Sequence, residues 1–244
     1  MPPTNRTADE YPMRLHVYLA RAGVASRRRS EALIAEGEVE VNGEIVTSQG
    51  FLVNEGDTVR YSGRRVEPAQ RKIHIALNKP KRYLCSSSDP ENRPLAISLV
   101  QPDFPERLFT VGRLDFLSSG LILVTNDGYF SKRVMHPSNR VEKEYVLEAK
   151  VPIPEELLQE YRRGIFVEGV RYLLKHYTYK NSRRVNLVLE EGKNREIRRV
   201  FETRKIGIKR LHRIRIGSVH LGPVPPGGYR FLTAEEVASL GGGR

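Results

Sequence analysis

The chain has a single cysteine, Cys85, so no internal disulfide can form and no zinc ribbon or haem-attachment motif can be assembled. That scarcity fits a reducing compartment. No apolar run approaches the roughly 18 residues that a membrane-spanning helix needs, and the start, MPPTNRTADEYP, lacks the apolar segment of a signal peptide. The expectation is a soluble, cytoplasmic protein with no membrane partner. Internal repeats and low-complexity tracts are missing too, which excludes solenoids. Asp115 and Asp127 have no companion ligands at a recognisable spacing, so no metal is expected. Isolated His and Ser residues support no hydrolase triad, and Cys85 reads as core rather than nucleophile. Nothing in the sequence demands more than a monomer.

Charge of one sign is absent from two neighbouring stretches. Met13 to Arg29 holds five arginines and no acid, whereas Glu31 to Asp57 holds seven acids and no Lys or Arg. Residues 1–71 are balanced at 10 basic against 10 acidic, so the whole excess of the chain, +12, lies beyond them. Such an excess points to a polyanionic partner. With 39% hydrophobic residues in 244, the chain can still bury a core and a small appendage.

The apolar spacing of Met13, Val17 and Ala20 predicts a short helix stopped near Gly23. Ser26 is placed to cap a second helix running to Glu36. Arg27, Arg28 and Arg29 then occupy its first turn, where the helix dipole disfavours cations by roughly 0.3–1 kcal/mol each. Two readings stand, a phosphate-binding edge or a solvated basic turn. Glu38 to Val41, the Asn42-Gly43 turn and Ile45-Val46 predict a hairpin, and Asp57 to Tyr61 another strand. The segment from Leu15 to Val46 resembles the ribosomal-protein-S-four-type RNA-binding module. Residues 13–61 are assigned to it and 62–71, SGRRVEPAQR, to a linker.

From residue 72 to 240, short helices alternate irregularly with many strands and no βαβ repeat occurs. The fold class read from this order is α+β, with a mainly antiparallel, mixed sheet behind a small N-terminal α/β domain. Its central stretch is TVGRLDFLSSGLILVTNDG, Thr110 to Gly128. Two strand-like segments, Phe109 to Val111 and Leu121 to Val124, flank a loop carrying Asp115 beside Arg113, and Asn126-Asp127-Gly128 reads as a hairpin turn. On residues alone, Asp115 is most simply a structural ion pair or turn cap. Further on, Gly192 to Arg215 holds ten Lys and Arg against two acids. Arg195, Arg198 and Arg199 fall at i, i+3 and i+4 on the helix predicted there, a stripe suited to an RNA backbone.

Four ordered motifs sharpen this reading: VGRLD (Val111 to Asp115), SGLILVTNDG (Ser119 to Gly128), KEY (Lys143 to Tyr145) and EGKNREIRRVF (Glu191 to Phe201). Together they resemble the pseudouridine synthases of the RsuA/RluB type over nearly the whole chain. Ser118 stands where that family usually has Thr, Arg82 where it often has Gly, and Val200 where Met or Leu is common; none is expected to touch the chemistry. The resemblance implies a cofactor-free isomerisation of a uridine to pseudouridine in ribosomal RNA. It implies Asp115 as the essential carboxylate, nucleophile or base, Tyr145 as the aromatic that stacks on the extruded base, and Arg198 as the ion-pair partner of Asp115. Arg113, Lys79, Arg27, Arg28, Arg29, Lys193, Arg195 and Arg199 are the expected RNA contacts. The REIRR and MHP segments lean toward the large subunit or its assembly intermediate as partner. The competing readings are a small-subunit enzyme and a non-catalytic ribosome-assembly factor.

Overall fold

The structure, a computed structural model, describes residues 11–240. The polar start read above as free of a leader therefore lies largely outside the described residues. The chain divides into two compact units, one ending at Lys72 and the other beginning at Ile73.

In the first unit, helices Leu15–Arg21 and Arg27–Ala35 pack Leu15, Leu19, Leu33 and Ile34 against Val39, Val41, Val53 and Val59. Ser26 caps the second helix by accepting the Arg29 N–H at 3.3 Å. Strands Val39–Val41 and Glu44–Ile45 meet at Asn42 and Gly43, both at positive φ, as a two-residue hairpin turn requires. Two expectations change. Met13 does not open the first helix but pairs with Val53 in a short strand, which buries it. The segment read as a linker contains strand Arg64–Arg65, paired with Val59–Tyr61, and Val66 donates its N–H to the Val59 carbonyl.

The second unit is built on a nine-stranded sheet. Its path runs His176–Asn181, Arg184–Leu189, Lys143–Ala149, Ile208–Ile216, Ser119–Thr125, His74–Lys79, Tyr229–Phe231. Val219–His220 and Phe109–Val111 attach beside this path. All pairings are antiparallel except the contact of Ile208–Ile216 with Ser119–Thr125, which is parallel. The α+β, mainly antiparallel mixed sheet is thus as expected. Strands His176–Asn181 and Tyr229–Phe231 had no sequence reading; both are end strands of the path, and neither has a fully buried residue.

The two central strands are continuously apolar because both faces of the sheet are covered. Ile75, Leu77, Ile122 and Val124 pack with Phe104 and Leu108 on one side; Ala76, Leu121 and Leu123 pack with Phe130, Val134 and Leu240 on the other. Helices Glu155–Arg163 and Glu196–Glu202 cover the far end through Leu157, Leu158, Val200 and Phe201. Asn126-Asp127-Gly128 is not a hairpin. Asp127 caps helix Gly128–Met135, accepting the N–H groups of Tyr129 and Phe130 at 2.9 and 3.1 Å, so the chain leaves the sheet there.

Candidate active site

The loop from Gly112 to Ser118 joins two strands that are antiparallel neighbours, Phe109–Val111 and Ser119–Thr125. Asp115 lies in this loop, partly exposed. Its Oδ2 is 3.6 Å from Arg198 Nε, an ion pair too long to be a hydrogen bond. Arg198 is delivered by helix Glu196–Glu202 and is 9% exposed. Burial pulls its guanidinium down, and the Asp115 charge opposes that shift. Its Nη2 donates to Ser118 Oγ at 3.1 Å, while Nε has no hydrogen-bond partner. Ser118 therefore does touch the proposed chemistry, contrary to expectation.

Tyr145 projects from strand Lys143–Ala149 onto the same pocket, a cavity of about 300 Å³ lined also by Asp115, Arg198, Arg113 and Lys193. Across from it stands Arg213. The register between these strands slips by one, so that Glu144 faces Arg215 and Tyr145 faces Arg213, with Ile214 bulged out between. Arg213 Nη1 donates to the Tyr145 hydroxyl at 3.3 Å and Nε to the Leu121 carbonyl at 2.7 Å.

Arg213 and Lys143 were not among the sequence candidates, yet both line the pocket. Arg213 is two residues from the buried Leu211 and so on the same strand face, the signal that could have found it. Lys143 donates to the carbonyls of Val141 and Glu190 at 2.9 and 3.2 Å, and burial, with Arg213 nearby, pulls it down to about 8.

Lys79 corrects another expectation. It is fully buried, and its Nζ donates to the carbonyls of Pro80 and Tyr83, both at 2.9 Å, so it cannot contact RNA. Burial pulls it down to about 8, against the raising effects of Cys85 and Asp115. The basic stripe is also not one face. Arg195 precedes the helix in a left-handed conformation and pairs with Glu202 at 3.2 Å. Arg198 turns inward, and Arg199 pairs with Glu168 at 2.8 Å. Lys193 donates to the Arg171 carbonyl at 2.7 Å from an exposed position, and Arg113 is exposed at the pocket. The backbone of that basic loop is held by Glu196, whose buried carboxyl accepts from the Lys193 N–H at 3.2 Å and the Tyr161 hydroxyl at 3.0 Å. In the first unit Arg27 and Arg28 are exposed, and Arg29 pairs with Glu36 at 2.9 Å.

The pocket therefore joins Asp115, two buried guanidiniums, a tyrosine ring and a cationic margin, with Glu191 and Glu196 also in its lining. That set can hold a planar, polar group against the ring and present a carboxylate to it. Among the described residues no three His, Cys, Asp or Glu side chains converge as a metal site, and no helix is long and apolar enough to cross a membrane.

Comparison with known proteins gives matches to both units. Residues 73–203 match the model of the RNA pseudouridylate synthase family, and residues 13–59 that of the S4 domain. A Borreliella burgdorferi protein named as an uncharacterized RNA pseudouridine synthase is 45% identical, over 93% of this chain and 92% of the relative. Ribosomal large subunit pseudouridine synthase B of Bacillus subtilis is 36% identical, over 93% of this chain and 95% of the relative. A crystal structure of a pseudouridylate synthase superposes with a TM-score of 0.69 at 28% identity, over 93% of this chain and 99% of that one.

Proposed function

The chain belongs to the RNA pseudouridylate synthase family, and on that premise we propose that it converts a uridine of large-subunit ribosomal RNA to pseudouridine at the Asp115 pocket. The observation that carries the assignment is the convergence of Asp115, Tyr145 and Arg198 on one cavity, from a loop, a strand and a helix far apart in sequence. A uridine stacked within RNA is out of reach of this pocket, so the nucleotide is extruded at a cost of a few kcal/mol, and an aromatic face offsets part of that cost. Tyr145 supplies this face.

Asp115 acts on the sugar, either at the anomeric carbon or on a ribose proton, and Arg198 holds its negative charge in place. The bond from N1 to the sugar breaks, the uracil turns, and the bond from C5 to the sugar forms. C5 gives up its proton and N1 ends the reaction carrying one, so atoms and electrons balance without an oxidant or cofactor. Arg113, Lys193, Arg195 and Arg199 give the pocket's surroundings a positive margin suited to the strand on either side. The large-subunit choice rests on the name of the Bacillus relative.

The test is tritium release from ribosomal RNA labelled at C5 of uracil. Wild type releases label, and Asp115→Asn binds RNA but releases none. Absence of release by wild type leaves the rival reading, a non-catalytic RNA-binding factor. Mapping pseudouridines in ribosomal RNA from cells lacking this protein identifies the site and the subunit.

A further inference from the structure

Arg213 carries a charge in a place where charge is costly. The residue is 3% exposed, and the fold spends two of its three nitrogens on fixed partners, the Leu121 carbonyl and the Tyr145 hydroxyl. The third, Nη2, is buried with no hydrogen-bond partner, and the side chain lines the pocket. A guanidinium has donors only, and a buried one left short of an acceptor is destabilising unless a ligand supplies it. Arg198 differs, because its free Nε faces Asp115. That pair marks the end of the pocket where the sugar sits in the proposed reaction. Arg213 instead marks the end reached by the Tyr145 hydroxyl, the far edge of the ring on which the base stacks.

Resting on the proposed uridine chemistry, we infer that Arg213 reads the exocyclic carbonyl at C4 of the extruded uracil through Nη2. That oxygen is opposite the sugar-bearing side of the base and accepts hydrogen bonds. Cytosine presents an amino group there, so two donors would face each other and the base would be refused. The same arrangement suits a base that turns. Rotation about the line from N3 to C6 exchanges N1 with C5 and C4 with C2, which brings the C2 carbonyl to the place that the C4 carbonyl left. A donor-only reader is thus satisfied before and after the turn. The bulge at Ile214 is what sets Arg213 opposite Tyr145, so reader and stacking ring are fixed to each other.

The test measures binding of three mononucleotides to the full chain by equilibrium competition: UMP, CMP, and the 5′-monophosphate of 2-pyrimidinone riboside, which lacks the C4 oxygen. Wild type is expected to bind UMP at least about tenfold more tightly than either of the others, about 1.4 kcal/mol. In Arg213→Met the three affinities converge. A folded Arg213→Met that keeps the wild-type preference overturns the inference. So does a wild type that binds the 2-pyrimidinone nucleotide as well as UMP, a comparison that needs no variant and decides the matter if Arg213→Met does not fold. Tritium release by wild type is scored separately. Release without a C4 preference removes the role of Arg213 and leaves the isomerase; a C4 preference without release does the reverse.

Discussion

Gly120 runs so close to Arg213 that a methyl group on it would lie 2.2 Å from the Arg213 carbonyl oxygen and 2.7 Å from its nitrogen. The two residues are register partners in the parallel contact of the sheet. This approach joins the strand that follows the Asp115 loop to the strand that bears Arg213, so one glycine fixes the spacing of the pocket's two sides. Its φ of +105° is a second reason that no side chain is tolerated.

Gly120→Ala is therefore expected to destabilise the chain by about 2–4 kcal/mol, through backbone overlap that no side-chain rotation relieves. Denaturant unfolding measures it. A variant as stable as wild type would show that the two strands have room to part.

Ser118 accepts from Arg198 Nη2 in a buried position. Ser118→Ala leaves that donor without an acceptor, at about 1–3 kcal/mol, and Ser118→Thr retains the hydroxyl. Arg198→Met removes the charge beside Asp115. Tritium release is expected to fall by roughly a hundredfold or more, with RNA affinity changed only a few-fold. Equal losses of affinity and rate would instead make Arg198 a binding residue.

The pH dependence of Lys79 has a definite sign. Burial lowers it from 10.5 to about 8, so between these values the unfolded chain holds a proton that the folded chain has released. Stability contributed by this group therefore rises with pH through that window. Lys79→Met lacks the effect. Unfolding at about pH 7.5 and 9.5 should show wild type gaining on the order of 1–3 kcal/mol relative to the variant. A stability difference that does not move with pH would contradict the assignment.

Arg27 and Arg28 are exposed at the start of their helix, against the local dipole. If they meet phosphates, Arg27→Ala with Arg28→Ala lowers the slope of log affinity against log salt by about two. Removal of residues 1–70 is expected to weaken binding and flatten the same plot further. An unaltered slope in the double variant would reduce these arginines to a solvated turn.

The parts of the site that were legible in the sequence are those fixed within a few residues. Ser26 caps the next turn, Asn42-Gly43 reverses the chain, and a loop between two apolar segments holds Asp115. These depend on backbone preference and short-range hydrogen bonds, which the local residues carry wherever the segment lies. The same locality explains the misreadings. Asn126-Asp127-Gly128 suits a hairpin and a helix cap equally, and only the helix that follows decides between them. Arg195, Arg198 and Arg199 have a helical spacing, but helical spacing does not say which of them faces a carboxylate.

The sequence by itself determined the motifs, the family they resemble, most of the strands and helices, and the loop that carries Asp115. Tertiary structure alone decided that Lys79 is buried, that Arg198 meets Asp115, and that a bulge at Ile214 sets Arg213 beside Tyr145. The reason is distance along the chain. The bond from Arg213 to the Leu121 carbonyl spans 92 residues. Whether such a cation lies in solvent or under a pocket is set by which strands pair, and each segment carries only its own half of that pairing.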